Sequence, residues 1–260
     1  MTAIGVFDSG VGGLTVVDAL RRRLPDESIL YLGDTARLPY GSKSPDTVTR
    51  YTRRNIEFLA ERGVKAVVVA CNTASALALP NLTSTLPTWG VIEPGARKAA
   101  AASRSGRVGV IATEATVRSD AYARALRHVR PDLEVLSRPC PLFVPLVEEG
   151  WTDDPVTEQV AERYLRPLLD QQIDTLVLGC THYPLLVPTL QRVVGPGVTL
   201  VDSAAAVAEE VAAGLAERGL VESDSSPSHH LCVTDAGEGF HRLARRILGP
   251  DVTLEWVEVA

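Results

Sequence analysis

Two cysteines stand in matched sequence contexts that could carry out chemistry. Cys71 lies in VVVACNTAS, residues 67–75, and Cys180 lies in LVLGCTHYP, residues 176–184. In each segment the aliphatic run predicts a buried parallel strand, and the polar residues after the cysteine predict the turn into a helix. Open α/β sheets bind their ligands at the carboxyl ends of strands. We therefore expect the two thiols to face each other across one cleft, one from each half of the protein.

Two thiols in that arrangement are suited to acid–base chemistry at a carbon atom. The amino end of a helix stabilises a thiolate, which can remove a proton while the second thiol delivers one to the opposite face. This is the minimum apparatus for inverting a stereocentre, and it needs no redox cofactor. A lone cysteine after a buried strand is usually structural. Cys140 and Cys232 lack the polar context, and we interpret both as structural.

The residues that follow the two cysteines could bind substrate and tune the thiols. Asn72, Thr73 and Thr181, with their backbone amides, could hold a carboxylate at a helix amino end. His182, two residues beyond Cys180, could tune that thiol or relay its proton.

Further candidates follow the first two predicted strands. Asp8 and Ser9 stand at the end of the first strand, where Asp8 could orient an ammonium group or assist Cys71. Tyr40 and Gly41 lie in a polar loop at the same edge, and this loop could close over the substrate.

Pyridoxal phosphate is the usual alternative for racemising an amino acid, and it requires a Schiff-base lysine. The chain has only three lysines, which are Lys43, Lys65 and Lys98. None has the context of such a site, although Lys43, in a loop, stays open.

Metal chemistry is a second alternative. Cys71, Cys180 and His182 could form a metal site, but no closed set of four ligands is visible. His229 and His230 are adjacent in a predicted polar surface loop at 219–230, where we interpret them as solvated side chains rather than ligands.

The composition excludes several classes of protein. The chain of 260 residues has a net charge of −6 with scattered basic residues, so it lacks the broad basic surface of a nucleic-acid-binding protein. It has no apolar run long enough to span a membrane and no signal-peptide pattern, so we expect a cytoplasmic protein with no membrane partner. Its four cysteines are far apart, which argues against a disulfide framework or a zinc knuckle.

Strand and helix patterns alternate along the whole chain, which predicts parallel sheets with helices on both faces. The segments VFDSGVGGLTV and VIATEATV share a layout, as the two cysteine segments do. We therefore predict an α/β protein of two similar doubly wound parallel-sheet domains, related by a pseudo-twofold axis, with the site between them. The first domain would comprise residues 1–92 and 208–260, and the second 93–207. Ser203 is predicted to cap a helix that reaches about Arg218.

Five segments of the chain resemble the signature segments of glutamate racemase, the cofactor-independent enzyme family that supplies D-glutamate for peptidoglycan. They are GVFDSGVGGLTV, YLGDTARLPYGSKS, ACNTAS, GVIEPG and LGCTHYPLL, and the resemblance extends from about residue 4 to residue 203. It implies two Rossmann-like domains, glutamate as substrate, no cofactor and a homodimer.

The resemblance also implies roles for individual residues. Cys71 and Cys180 would be the catalytic acid and base, and Asp8 and His182 would assist them. The implied substrate contacts are Asp8, Ser9, Tyr40, Gly41, Asn72, Thr73, Thr113, Thr116, Thr181 and His182. Two polar positions match more weakly. Asp34 could instead cap a loop, and Glu148 could be a charge on a solvated helix.

Two other functions stay open at this point. A related two-cysteine enzyme could act on aspartate, which is one methylene shorter than glutamate. A non-catalytic protein with a hinged cleft could bind a small acid, in which case the thiols would be incidental.

Overall fold

Within residues 3–222 and 226–259, which the computed structural model describes, ten strands form two parallel sheets of six and four strands. The strands are β1 (Ile4–Asp8), β2 (Ile29–Gly33), β3 (Ala66–Val69), β4 (Thr88–Gly90), β5 (Arg107–Ala112), β6 (Glu134–Pro139), β7 (Thr175–Gly179), β8 (Thr199–Asp202), β9 (His229–Val233) and β10 (Leu254–Trp256).

Helices connect the strands. They are α1 (Leu14–Arg23), α2 (Pro45–Glu61), α3 (Asn72–Leu77), α4 (Ile92–Ala102), α5 (Glu114–Arg118), α6 (Ala121–Val129), α7 (Phe143–Glu148), α8 (Pro155–Leu169), α9 (Val187–Val194), α10 (Ser203–Glu217) and α11 (Glu238–Leu248). None of the described helices has the length and apolar character needed to cross a bilayer.

The two sheets repeat one topology. The first contains the order β2-β1-β3-β4 and the second the order β6-β5-β7-β8, so each half places its strands second, first, third, fourth. Strands β9 and β10 extend the first sheet beyond β2, and all the pairings are parallel. The prediction of two similar parallel-sheet α/β domains is confirmed. The domain boundaries stay a prediction; the chain after β8 enters α10, which packs against α1 and α4.

Each cysteine follows the third strand of its half, and both strands are buried along their length. Alternate residues of a strand point to opposite faces. Val67 and Val69 therefore pack on the same face of the first sheet as Cys71. Leu178 packs with Cys180 on one face of the second sheet. The alternation of side-chain direction along each strand thus sets the direction in which each thiol leaves its sheet.

Polar side chains cap the starts of several of these helices. The Ser44 side chain accepts a hydrogen bond from the Thr47 N–H at the start of α2, and Asp154 caps α8 in the same way. The prediction that Ser203 caps α10 is wrong. Asp202 is the cap, because its carboxylate accepts from the Ala205 N–H at 3.1 Å.

One other local prediction needs correction, and two local features have no counterpart in the sequence analysis. The histidines His229 and His230 belong to β9, where they pair with β2, and not to a surface loop; of that loop, residues 223–225 lie outside the described part. The segment TEATVRSDAY, residues 113–122, contains a helix break, because Asp120 adopts a left-handed conformation with φ of 55°. The three-residue strand β4 is too short to produce a readable pattern, and it forms by pairing with β3.

Candidate active site

A cavity of about 440 Å³ lies between the carboxyl ends of the two sheets, and Cys71 and Cys180 both border it. Cys71 enters from the first sheet after β3, and Cys180 enters from the second after β7. Their exposed fractions are 5% and 6%, so both thiols are largely removed from bulk water while they contact the cavity. The structure therefore brings together the two sulfur atoms that the sequence pattern paired.

Cys180 has a histidine and a carboxylate behind it. The His182 Nδ1 atom lies 3.9 Å from the Cys180 sulfur, and His182 Nε2 lies 3.2 Å from Glu148 Oε1. Burial lowers the pKa of His182, but hydrogen bonds to Cys180 and Glu148 outweigh burial and raise this pKa to about 10. At neutral pH the ring is therefore an imidazolium, and it favours negative charge on the neighbouring sulfur.

The described groups around Cys71 are of a different kind. Burial and, to a smaller extent, the negative charge of Asp8 raise the pKa of this thiol to about 12, although the Ala74 N–H and the Ser9 hydroxyl act in the opposite direction. The Ser9 Oγ atom lies 3.6 Å from the sulfur. The two thiols, similar in sequence context, thus have opposite electrostatic surroundings.

Asp8 lies beneath the glycine-rich turn and is not among the residues that line the cavity. Its carboxylate accepts hydrogen bonds from the N–H groups of Gly10 and Gly13 at 3.1 and 2.9 Å. It also accepts from the Thr181 hydroxyl at 3.4 Å, which connects the two halves. Burial raises the pKa of Asp8, and the positive charge of His182 lowers it. In the described part of the chain, the hydrogen bonds of the Asp8 carboxylate go to Gly10, Gly13 and Thr181 and none goes to Cys71.

Three threonine hydroxyls form a closed triangle beside the cavity. Thr73 Oγ1 lies 2.9 Å from Thr113 Oγ1 and 3.2 Å from Thr116 Oγ1, and the last two are 3.0 Å apart. Thr73 and Thr113 line the cavity, whereas Thr116 lies behind them. Gly41 approaches this cluster closely, because a Cβ at that position would lie 2.9 Å from Thr113 Cβ. Only a glycine brings the loop backbone so near to the threonines.

Asp34 supports the wall of the cavity rather than lining it. The hydroxyl of Tyr40, a buried residue that does line the cavity, donates to the Asp34 carboxylate. The Asn55 amide donates to the Tyr40 hydroxyl at 3.1 Å and to Asp34 at 3.4 Å. Asp34 therefore anchors Tyr40, and through it the loop that closes one side of the cavity.

Glu148 lines the cavity as the last residue of α7 and is not merely a solvated charge. Besides its contact with His182, its backbone oxygen accepts a hydrogen bond from Arg242 of α11 at 3.1 Å. The remaining candidates, Ser9, Gly41, Asn72, Thr181 and His182, all line the same cavity.

Sequence reasoning missed two features of the site. Pro141, Val144 and Pro145 form an apolar wall; they come from the proline-interrupted segment CPLFVPLVEEG, whose irregularity was the available signal. The Tyr122 hydroxyl donates to the Asn72 Oδ1 atom at 2.7 Å. No sequence pattern marks that contact, because the two residues are distant in the chain.

None of the three lysines lines the cavity. Lys65 enters β3 at the amino end, the opposite end from Cys71, and its ammonium group lies 2.6 Å from the buried Glu27 carboxylate. Lys98 is exposed on α4, and Lys43 does not line the cavity. Within residues 3–222 and 226–259, no three His, Cys, Asp or Glu side chains are arranged to hold a metal ion.

Comparison with known proteins identifies relatives over nearly the full chain. The family model described as Asp/Glu/Hydantoin racemase matches residues 13–211. A glutamate racemase from Geobacter metallireducens is 55% identical over 250 residues, which cover 95% of this chain and 93% of that relative. A solved glutamate racemase from Bacillus anthracis has a TM-score of 0.96 at 40% identity, covering 99% of this chain and 98% of the other. One from Francisella tularensis, in complex with D-glutamate, has a TM-score of 0.93 at 37% identity over 99% and 98% of the two chains.

Proposed function

This chain belongs to the Asp/Glu/hydantoin racemase family, and we propose that it interconverts L- and D-glutamate with two cysteine thiols as acid and base. The single observation that carries the mechanism is the shared cavity: Cys71 and Cys180 border it from different sheets. The substrate assignment rests on relatives that are named glutamate racemases at about half identity, and on one that was solved with D-glutamate.

The reaction needs one thiolate and one thiol at a time. The thiolate takes the hydrogen of Cα as a proton, and the electron pair of that C–H bond passes into the adjacent carboxylate as an enediolate-like structure. The opposite thiol then donates its proton to the other face of Cα. Atoms and charge balance without a redox partner, and the two thiols exchange roles for the reverse direction.

We propose that the protonated ring of His182, held by Glu148, assists Cys180 when this residue acts as the base. Cys71, whose pKa is raised to about 12, remains a thiol at neutral pH. The surroundings of the two thiols are therefore asymmetric even though the chemistry is symmetric.

The polar groups around the thiols would bind the two carboxylates of glutamate. One carboxylate would be held by Asn72, Thr73 and Thr181, which all line the cavity and carry polar side chains and backbone amides. The loop at Gly41 and the hydroxyl of Thr113 would receive the other. The other side chains of the cavity wall that would contact substrate are Ser9, Tyr40 and His182. Four residues would support the site through hydrogen bonds to their neighbours: Asp8, Asp34, Thr116 and Glu148.

Proton exchange tests this function directly. The purified protein, incubated with L-glutamate in deuterated water without added cofactor, should produce D-glutamate carrying deuterium at Cα. Cys71→Ser and Cys180→Ser should each reduce turnover by several orders of magnitude, because a serine hydroxyl is a far weaker acid than a thiol. Cys232→Ser is the matched control, since that buried cysteine lies in β9 away from the cavity, and it should retain activity.

Two outcomes would overturn the proposal. Tight binding of glutamate with no exchange at Cα would identify a binding protein. A larger kcat/KM for aspartate than for glutamate would assign the other substrate, because the pocket would then fit the acid that is shorter by one methylene.

We further propose that the enzyme acts in the cytoplasm, supplies D-glutamate to peptidoglycan synthesis and pairs as a homodimer. Exposed aromatic side chains, including Trp151 and Trp256, offer apolar surface for pairing. Analytical ultracentrifugation tests the dimer, and restoration of growth in a D-glutamate-requiring bacterium tests the cellular role.

A further inference from the structure

Asn72 has a hydrogen-bond donor without a partner beside the cavity. The residue is 2% exposed and lines the cavity next to Cys71. Among residues 3–222 and 226–259, its Nδ2 atom is buried and has no hydrogen-bond partner. A buried unpaired amide is costly unless a ligand completes it.

The partner of the other amide atom explains this orientation. The Tyr122 phenol, on α6 of the second half, donates its proton to Asn72 Oδ1 at 2.7 Å. Burial raises the pKa of Tyr122, and the Ser203 side chain, which borders Gly95 together with this phenol, lowers it. A phenol has one proton, so giving it to Asn72 leaves the phenol oxygen free to accept from Ser203. Rotation of the amide by half a turn would set the Nδ2 donor against the phenol proton.

The Tyr122 ring is held rigidly where it makes this contact. It is 2% exposed and lies between two glycines. A Cβ at Gly179, the residue before Cys180, would lie 2.9 Å from the ring atom Cε2, and a Cβ at Gly95 would lie 3.3 Å from Cε1. One side chain thus touches the strand end that precedes one catalytic thiol and the residue that follows the other.

We propose that Tyr122 is a positioning residue, whose phenol fixes the Asn72 amide so that its nitrogen points to a substrate carboxylate. This inference rests on the proposed racemisation of glutamate. Tyr122 itself contacts no reacting atom. It acts through Asn72, and it sets the substrate relative to both thiols at once because it is packed against the Cys180 segment.

Steady-state kinetics of Tyr122→Phe test the inference. The variant keeps the ring and its packing but frees the amide to rotate, so KM for glutamate should rise about tenfold. The kcat value should fall less than KM rises, because the lost contact holds a carboxylate in the ground state and the transition state alike. Tyr164→Phe is the matched control, since its hydroxyl pairs with the Leu142 backbone outside the cavity, and it should leave KM unchanged.

A double-mutant cycle separates positioning from general destabilisation. In an Asn72→Ala background no amide remains to be oriented, so Tyr122→Phe should raise KM no further. Should the Tyr122→Phe effect on KM persist undiminished in that background, the ring would act on the fold and the inference would be wrong. An unchanged KM in the single variant would also overturn it.

A second variant covers the case in which Tyr122→Phe does not fold. Ser203→Ala removes the hydroxyl that lowers the pKa of the phenol, which lets the phenol reverse its roles, and KM should rise about twofold to threefold. An unchanged KM here would count against the inference. If the unmodified protein does not racemise glutamate at all, the proposed function is refuted instead, so the two failures are distinguishable.

Discussion

Replacing Glu148 by Gln tests whether that carboxylate maintains the charge of His182. Glu148 Oε1 and His182 Nε2 are 3.2 Å apart, with the Glu148 side chain 40% exposed and the His182 side chain 7% exposed. At this distance the attraction is about 1 kcal/mol in bulk water and about 5 kcal/mol at the effective dielectric of a protein surface. Because Glu148 is partly exposed, solvent screening favours the lower figure, about 1 kcal/mol.

The consequence is a shift in the pH dependence of activity. The pKa of His182 is raised to about 10, above its usual 6.5, so the imidazolium is present below that pH and is lost as the pH rises through it. The Gln variant loses the carboxylate, which lowers the pKa of His182. An energy of about 1 kcal/mol corresponds to a little under one pH unit. The alkaline limb of the kcat/KM profile should therefore move to lower pH by about that amount.

The assay is the initial rate of glutamate racemisation across the alkaline range, followed by circular dichroism. Enantiomers have equal free energies, so kcat/KM is the same in both directions at every pH, and the shift must be equal from L- and from D-glutamate. Glu149→Gln is the matched control, since it removes the same charge one residue away on an exposed side chain. An alkaline limb that stays in place, or moves to higher pH, would refute the pairing of His182 with Glu148.

Two further predictions concern stability and are checked by urea denaturation. Gly179→Ala should lower the free energy of unfolding by about 1–3 kcal/mol, because the new Cβ would lie 2.9 Å from a backbone oxygen and from a tyrosine ring. Gly197→Ala is the control: it has open space around it and should change the free energy of unfolding by under about 0.5 kcal/mol. Lys65→Met should cost about 3–5 kcal/mol, because it leaves Glu27, whose side chain is 1% exposed, as an unpaired buried charge. Lys98→Met, at an exposed position, should be close to neutral, and equal losses for the two lysines would contradict the buried pair.

The asymmetry between the thiols has a consequence for inhibitor chemistry. An electrophile that requires a thiolate should react first at Cys180, which has the imidazolium beside it, and more slowly at Cys71. Competition by glutamate should protect both positions, because both border one cavity.

Much of the fold was predictable because its signals are local. Strands such as β3 and β7 are short aliphatic runs, and helices such as α2 carry their caps within a few residues of their start. The short strand β4 and the break at Asp120 were missed for the complementary reason. The strand depends on a neighbour in space, and the break depends on one unusual backbone angle.

The site divides in the same way. The sequence by itself determined that two cysteines follow buried strands and are accompanied by polar residues, because strand, turn and thiol lie within nine consecutive positions. The tertiary structure alone decided that Glu148 stands behind His182, that Asp34 anchors Tyr40, and that Tyr122 holds Asn72. It also decided the electrostatic difference between the thiols. Those properties arise from distances between groups far apart in the chain, and from how completely folding removes each of them from water.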